Sequence, residues 1–253
     1  MKKIIGICGG MGPYAGTIMH QLIITNTDGR CDADHADVVH ASFPCMLRDQ
    51  APPLTKAVRS IVRACEQRSV VVGVPCNSVH VPKAWRPLER YADGTPQMEL
   101  LHMPRETAAF VRQHCPKAVR VGLLCASHTR NGRLYEGEFS TYGIETVHVS
   151  EAMQQAVERA IYDKKWGLKS RFPPSSQARS ACCRFLDALV EKRCDVIVLG
   201  CTDLPLAVTK GRHRGVPIVN SMLALARALV RKSGYPLVEL NKCTSPKKRS
   251  LKR

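Results

Sequence analysis

Short runs of apolar, largely β-branched residues alternate along the chain with longer stretches in which apolar residues recur every three or four positions. The short runs predict β-strands and the longer stretches predict amphipathic helices. Most of the strand runs are continuously apolar, so both faces of the predicted sheets should be covered. The predicted strands are 3–8, 36–43, 70–74, 119–125, 145–149, 195–200 and 216–220.

Helical patterns fill most of the intervals between these strands. The clearest are YAGTIMHQLIITNT, PLTKAVRSIVRACEQ, PRETAAFVRQHC, EAMQQAVERAIYD and SSQARSACCRFLDALVEKR. Strands that alternate with helices are typical of parallel sheets with helices on both faces. The sequence therefore predicts an α/β protein.

Two pairs of segments repeat in the same order. KIIGICGG resembles RVGLLCAS, which aligns Gly6 with Gly122, and VVVGVPCNS resembles VIVLGCTDL, which aligns Cys76 with Cys201. The repeat predicts two related α/β lobes. It also places Cys76 and Cys201 at the carboxyl ends of equivalent strands, the edge where open α/β sheets bind ligands. We expect the N-terminal lobe to contain residues 1–103, completed by residues 216–238. Residues 104–215 should form the second lobe, and residues 239–253 a basic, disordered tail.

Composition narrows the class of protein. The 253 residues are 44% hydrophobic and 23% charged, which is ordinary for a soluble globular chain. No stretch approaches the roughly 18 apolar residues of a membrane span, and glycines interrupt the apolar N-terminus too early for a secretory signal. We therefore expect a cytoplasmic protein that does not bind membranes.

The formal charge of +17 allows two interpretations. Nucleic-acid binding is one, but aromatic residues make up only 5% of the chain, so stacking platforms are scarce. A solvated basic surface with a basic tail is the interpretation we favour. A small anionic substrate fits the same sign of charge.

Twelve cysteines could form six disulfides, but that density is typical of small secreted scaffolds. There is no C-x-x-C pair, and Cys182 and Cys183 are adjacent in a helical pattern, where they point in different directions. We expect reduced thiols and no metal.

A glycine-rich turn follows the first predicted strand. In GGMGPYAG, Gly10, Gly12 and Ala15 satisfy the loose dinucleotide fingerprint G-x-G-x-x-A. Against this reading, Pro13 removes a backbone N–H that a phosphate would use, and the candidate acids, Asp32 and Asp34, precede the second strand. The alternative is a tight turn with Pro13 at the first helical position. We expect no cofactor.

The chemistry of the two aligned cysteines is specific. Small polar residues that can donate hydrogen bonds to an anion, Asn77, Ser78 and Thr202, follow them. A single cysteine is ordinarily a buried structural thiol. Two thiols on opposite sides of one carbon, one of them a thiolate, can remove a proton from one face and deliver one to the other. That reaction inverts a stereocentre without a cofactor.

Four motifs then resemble one family. GGMGP, PCNSVH, VGLLCASHT…LY and LGCTDLP occur in the order and spacing of the aspartate/glutamate racemases, the cofactor-independent amino-acid racemases, across residues 1–228. The GGMGP turn and the acidic residue after GCT resemble the aspartate-racemase branch. The resemblance implies two pseudo-symmetric lobes with the active site between them, and a homodimer.

The resemblance also implies roles for individual residues. Cys76 and Cys201 would be the acid–base thiols, Arg48 would bind the side-chain carboxylate of the substrate, and Lys169 would match a family lysine, with Lys164 and Lys165 as competitors. The residues expected to surround the substrate and its carboxylate are Met11, Gly12, Asn77, Ser78, Thr129 and Thr202.

Several positions depart from the family pattern. Ser78 replaces a threonine, and Arg48 stands about one residue nearer its proline than is usual. Cys125, Ala126 and His128 replace Ala, Thr and Gly, and Asn220 replaces an aspartate. These departures leave aspartate, glutamate and other acids open as substrates. A related isomerase or decarboxylase, or a non-catalytic binding protein that uses the basic surface, also stays open.

Three further residues have two readings each. His35 and His80 can polarise the thiols or cap their own loops, and we favour the local structural role. Asp203 can tune Cys201 or cap the helix that follows it.

Overall fold

Two mainly parallel sheets organise the part of the chain that the computed structural model describes, which is residues 1–44, 52–241 and 245–246. The first sheet contains β1 (Ile4–Gly9), β2 (Val38–Ser42), β3 (Val70–Gly73) and β4 (Met98–Leu101). Its order is β2-β1-β3-β4, with every pair parallel.

The second sheet has the same central arrangement with one extra strand. Its members are β5 (Arg120–Leu124), β6 (Glu145–His148), β7 (Val196–Leu199), β8 (Arg212–His213) and β9 (Val216–Asn220). The order is β6-β5-β7-β9-β8, in which only the β8–β9 pair is antiparallel.

Helices flank both sheets, so the α/β prediction is confirmed. They are α1 (Pro13–Asn26), α2 (Pro52–Ala64), α3 (Pro82–Asp93), α4 (Met103–His114), α5 (Ser127–Asn131), α6 (Glu136–Ser140), α7 (Glu151–Tyr162), α8 (Ser176–Glu191), α9 (Leu204–Ala207) and α10 (Ser221–Lys232). Short 3₁₀ turns lie at Asp32–Asp34 and Asn77–His80. None of the helices within the described ranges is long and apolar enough to cross a membrane.

The repeat seen in the sequence is a repeat of structure. β1 and β5 hold the same place in their sheets, as do β3 and β7. The aligned glycines also pack alike. A methyl group at Gly6 would stand 2.8 Å from Ile61 of α2, and one at Gly122 would stand 3.2 Å from Leu189 of α8. In both lobes the missing side chain lets a helix approach the sheet closely.

The segment 216–238, which the sequence groups with the first lobe, divides between the two sheets. Its helix, α10, packs against α1 and α4 and shares a core with Ile5 and Val71 of the first sheet. Its strand, β9, instead pairs with β7 of the second sheet, with Ile218 opposite Ile197. Placing β9 in the first lobe was therefore wrong, because β9 supplies the strand beside β7 that β4 supplies beside β3.

The described cysteines are free thiols, ten in number. Most of the predicted tail lies outside the described residues, apart from two short strands that pair antiparallel, β10 (Leu240–Asn241) and β11 (Ser245–Pro246).

Candidate active site

The two aligned cysteines occupy matching places in the fold. Cys76 follows β3 and Cys201 follows β7, and these are the equivalent central strands of the two sheets. Cys76 is 9% exposed and Cys201 is 8% exposed. Each sulfur is thus nearly buried on a turn held by a rigid strand.

A buried histidine holds the turn that carries Cys76. The Nδ1 atom of His80 lies 2.9 Å from the carbonyl oxygen of Cys76, and its Nε2 atom accepts a hydrogen bond from the N–H of Met103 at 3.2 Å. Since Nε2 accepts, the ring proton sits on Nδ1 and is donated to the carbonyl. Burial, and next the neighbouring His102, place the pKa of His80 well below its usual value, so the ring is neutral. His80 contacts the backbone of the turn, in accord with the local structural role.

The two sulfurs have different side-chain partners. The Sγ atom of Cys76 lies 3.4 Å from the hydroxyl of Ser78. The Sγ atom of Cys201 donates to Oδ2 of Asp203 at 3.7 Å. Asp203 directly precedes α9, yet its side chain caps no backbone N–H there. Of the two roles weighed for Asp203, the geometry supports contact with Cys201.

These partners act on the thiols in opposite directions. Burial raises the pKa of Cys76, and the Ser78 hydroxyl and the Lys169 ammonium counteract it. Burial also raises the pKa of Cys201, and the Asp203 carboxylate raises it further. A thiolate is thus better supported at Cys76, and a protonated thiol at Cys201.

Lys169 joins this group through Asp203. Its Nζ atom lies 2.8 Å from Oδ2 of Asp203. Burial acts to lower the pKa of Lys169, but the attraction of the Asp203 carboxylate outweighs it, so the pKa is raised and the side chain is charged. Lys165 uses its backbone N–H to bind Asp163, and no side-chain ion pair is found for Lys164 or Lys165 in the described part of the chain.

Gly12 brings the first lobe to this ion pair. A methyl group built on Gly12 would stand 3.6 Å from Nζ of Lys169 and 3.8 Å from Oδ1 of Asp203. Two residues further on, the Tyr14 ring stacks on Phe172, with centroids 4.6 Å apart. Both rings are about half exposed, so they form an aromatic pair at the surface.

Asn77 has protein partners for both ends of its amide. Its Nδ2 donates to the hydroxyl of Ser221 at 3.3 Å, and its Oδ1 accepts from the hydroxyl of Tyr135. Ser221 in turn donates to the carbonyl of Leu199 at the end of β7. This buried network ties the Cys76 turn to the second lobe.

The other predicted substrate-binding residues follow the carboxyl ends of β1, β3, β5 and β7. Thr129 and Thr202 are buried, Ser78 is partly exposed, and Met11 packs against the core of the first lobe. Arg48 lies outside the described residues.

Sequence reasoning did not assign three residues of this region. Tyr135 and Ser221 complete the Asn77 network, and the Tyr162 ring lies 5.8 Å from Nζ of Lys169. Tyr135 ends the LY motif, which was the available signal. No sequence signal marks Ser221 or Tyr162, because the residues they contact come from distant parts of the chain.

The dinucleotide fingerprint has structural explanations. Gly10 adopts φ +119°, and a methyl group there would stand 2.7 Å from the backbone N of Phe43, so the turn itself requires glycine. Ala15 is buried in the core, and Asp34 accepts the backbone N–H groups of Arg30 and Cys31. Within the described ranges, no cluster of three or more His, Cys, Asp or Glu is placed to hold a metal ion.

Comparison with known proteins finds the family that the four sequence motifs resemble. The family model described as Asp/Glu/Hydantoin racemase matches residues 8–229, most of the chain.

Solved structures share the fold. An aspartate racemase from Picrophilus torridus is 24% identical, with a TM-score of 0.69 and coverage of 93% of this chain and 96% of that one. A glutamate racemase from Bacillus anthracis is 15% identical, with a TM-score of 0.59 and coverage of 92% and 83%. An arylmalonate decarboxylase is 16% identical, with a TM-score of 0.51 and coverage of 91% and 92%.

Proposed function

Because the chain belongs to the Asp/Glu/Hydantoin racemase family, we propose that it interconverts the L and D forms of an acidic amino acid without pyridoxal phosphate or another cofactor. Aspartate is the first candidate and glutamate the second. The observation that carries the proposal is the pair of nearly buried thiols on equivalent turns, with opposite partners and one shared cation, Lys169. Aspartate comes first because the GGMGP turn and Asp203 resemble the aspartate-racemase branch.

In the proposed reaction, the two sulfurs face opposite sides of the α-carbon. The Cys76 thiolate takes the α-proton of one enantiomer, and the C–H electron pair passes into the carboxylate-stabilised carbanion. The Cys201 thiol then gives its proton to the other face. The cycle leaves a thiol at Cys76 and a thiolate at Cys201, which is the starting state for the reverse direction.

Lys169 is proposed to hold a carboxylate of the substrate, since it is a charged amine beside both thiols. Arg48 is proposed as the ligand of the distal carboxylate because a guanidinium binds carboxylate in a bidentate manner. The residues proposed to line the substrate are Met11, Gly12, Asn77, Ser78, Thr129 and Thr202. Residues 1–103 with α10 and residues 104–220 are proposed as the two lobes that enclose it.

Deuterium uptake from D₂O at the α-carbon tests the two-thiol mechanism. Wild type should exchange and racemise both enantiomers of aspartate. Cys76→Ser and Cys201→Ser should each lose racemisation by at least about 100-fold, because one general acid or base typically contributes 10²–10⁴. Cys65→Ser is the matched control, since Cys65 is also buried but only donates to a helix carbonyl. If either site variant racemises like wild type, the mechanism is wrong.

A second experiment tests the cation. Lys169→Met should reduce kcat/KM for aspartate by at least about 10-fold through loss of a charged contact, whereas Lys165→Met should stay within about twofold of wild type. Equal effects of the two substitutions would remove Lys169 from the site.

A related reaction on a bulkier acid is the second candidate. The Tyr14–Phe172 stack supports it, because an apolar substituent could rest against exposed aromatic rings. A panel of aspartate, glutamate and a phenyl-substituted malonate separates the candidates. Release of CO₂ from the malonate, with no exchange of either amino acid, would favour decarboxylation.

Assembly and location are also proposed from the family: a homodimer in the cytoplasm, whose function is not nucleic-acid binding. Light scattering on the purified chain measures the dimer. Salt-sensitive binding of nucleic acid that survives loss of both thiols would instead favour the binding-protein alternative.

A further inference from the structure

A buried amide on α7 reaches the turn that follows β5. Gln154 is 3% exposed. Its Nε2 atom donates to the carbonyl oxygen of Cys125 at 2.9 Å and to the hydroxyl of Ser127 at 3.3 Å. Buried polar groups are normally hydrogen-bonded, so this amide and the turn are matched to each other. Helix α7 therefore holds the first part of the turn.

Glu158 binds the same turn from one helical turn further along α7. Its Oε1 atom accepts the backbone N–H of Ser127, the first residue of α5. The residue before that helix is Ala126, whose side chain cannot cap it. Glu158 thus supplies, from a distant element, the acceptor that a capping side chain ordinarily supplies. Gln154 and Glu158 are four residues apart, so they lie on one face of α7 and act on one turn.

The turn held by these two residues packs directly against the turn that carries Cys201. The backbone N–H of Gly200 donates to the carbonyl of Leu124 at 2.8 Å, and Cys125 and Cys201 are the next residues on the two strands. A methyl group built on Gly200 would stand 3.1 Å from Cβ of Cys125. Because the interior is close-packed, a shift of one turn displaces the other.

The carboxyl end of α7 contacts the same thiol by another path. The backbone N–H of Lys169 donates to the carbonyl of Ile161 in α7 at 3.1 Å. The Nζ atom of Lys169 lies 2.8 Å from Oδ2 of Asp203. That oxygen is the one that accepts from the Cys201 sulfur. Both halves of one helix are thus connected to Cys201.

We propose that α7 positions the Cys201 sulfur, with Gln154 and Glu158 as the positioning residues for the proposed racemisation. This inference rests on the proposed function. The two residues act through the turn after β5 and not on the sulfur itself. In the first lobe the corresponding support is His80, which is 2% exposed and donates to the carbonyl of Cys76. Since the two thiols have separate supports, one can be displaced while the other keeps its place.

Separate supports predict a defect that differs between the enantiomers. In the proposed reaction Cys76 removes the α-proton of one enantiomer and Cys201 removes that of the other. When Cys201 alone is displaced, the first enantiomer still exchanges its α-proton with D₂O through Cys76, but the proton that completes inversion is not delivered. Exchange without inversion of one enantiomer is therefore the signature. A general loss of stability slows both directions equally.

Exchange and racemisation, measured separately for L- and D-aspartate on the full chain, test the inference. Gln154→Met and Glu158→Leu remove the hydrogen bonds at similar volume. Each should slow racemisation at least about 10-fold and leave exchange of one enantiomer within about threefold of wild type, because small misplacements of a reacting group cost up to about 10²-fold. Glu158→Gln keeps an acceptor oxygen, so it should racemise within about threefold of wild type.

Matched controls come from exposed positions. Gln155→Met changes the neighbouring residue on the solvent side of α7, and Glu191→Leu changes the last residue of α8. Both should match wild type in exchange and in racemisation.

Two outcomes overturn the inference. One is racemisation at the wild-type rate in both Gln154→Met and Glu158→Leu. The other is equal slowing of exchange for the two enantiomers, which would show that the substitutions act on both thiols alike.

A wild-type protein that racemises neither enantiomer would contradict the proposed function, and alkylation by iodoacetamide then decides the inference separately. Gln154→Met should speed alkylation of Cys201 at least about threefold, since the reactivity of a thiol depends on its access to solvent, and should leave Cys76 unchanged. An unchanged rate at Cys201 would show that α7 does not hold this thiol in place.

Discussion

Cys76 and Cys201 share a place in the fold but not an environment. The hydroxyl of Ser78 contacts one sulfur and the carboxylate of Asp203 contacts the other. A hydroxyl can donate to a thiolate, whereas a carboxylate can only accept from a thiol. The asymmetry suits a reaction in which one sulfur starts as the base and the other as the acid.

The pH profile of the proposed activity should reflect the burial of these thiols. Burial raises the pKa of both above the ordinary thiol value. At pH 7 the thiolate is therefore the minor form, and its fraction grows as pH rises toward the raised pKa. We expect kcat/KM for aspartate to increase steadily from pH 6 to pH 8.5, measured by circular dichroism of the amino acid. A plateau that begins below pH 7 would contradict this.

Asp203→Asn should make Cys201 more acidic. After burial, the Asp203 carboxylate is the largest cause of the raised pKa of Cys201. Removing its charge leaves Lys169 to act on the sulfur alone, so the pKa falls and more thiolate is present at pH 8. We expect iodoacetamide to alkylate Cys201 at least about threefold faster in the variant, since each unit of pKa changes the thiolate fraction up to tenfold.

Peptide mass spectrometry measures that rate and supplies its control. Cys183 is exposed on α8 and has no contact with Asp203, so its alkylation rate should be the same in both proteins. A slower reaction at Cys201 in the variant would mean that Asp203 activates the thiol instead.

At the scale of elements, the sequence predicts the strands and helices that have a clear pattern of hydrophobic residues. The seven predicted strands are all present. The signal is strongest for β1, β3 and β7, whose continuous apolar runs are buried on both faces. β4 was not predicted, because MELL is short and carries a charged residue, Glu99, which pairs with Lys3 and Lys232. α10 was not predicted because it follows the last predicted strand and so lies outside the intervals between strands.

In the candidate site, too, the sequence predicts some residues and misses others. Cys76 and Cys201 were predictable because each follows an apolar strand, and strand ends are local features. The partners of Asn77 were not, since Tyr135 and Ser221 reach it from other elements of the fold.

The aromatic pair between α1 and the loop after α7 yields a prediction at this scale. Tyr14 and Phe172 are exposed by 47% and 55%, so their contact is easily opened. A stacked aromatic pair contributes about 0.5–1.5 kcal/mol. Phe172→Ala should lower the free energy of unfolding by no more than that, and it should speed alkylation of Cys76 and Cys201. Tyr142→Ala, an exposed ring elsewhere, is the control. Unchanged alkylation would mean that the pair does not restrict access to the thiols.

At the scale of the whole molecule, the two sheets are joined by polar as well as apolar contacts. α10 lies between them, with Leu225 and Leu229 in the core of the first sheet and Leu223 and Ala224 in a core of the second. At the start of α10, Ser221 connects Asn77 after β3 to the end of β7. The network thus fixes the two strand ends that carry the thiols relative to each other.

Tyr135→Phe tests whether this network matters for both stability and rate. The substitution removes one hydroxyl and leaves Oδ1 of Asn77 buried without its donor, which costs about 1–3 kcal/mol. We expect urea denaturation to show a loss in that range, whereas Tyr142→Phe on the surface should change stability by less than about 0.5 kcal/mol. Because Asn77 adjoins Cys76, kcat for aspartate should also fall, with KM affected less. A variant that is destabilised but retains wild-type kcat would show that the network holds the lobes together without setting the position of the thiol.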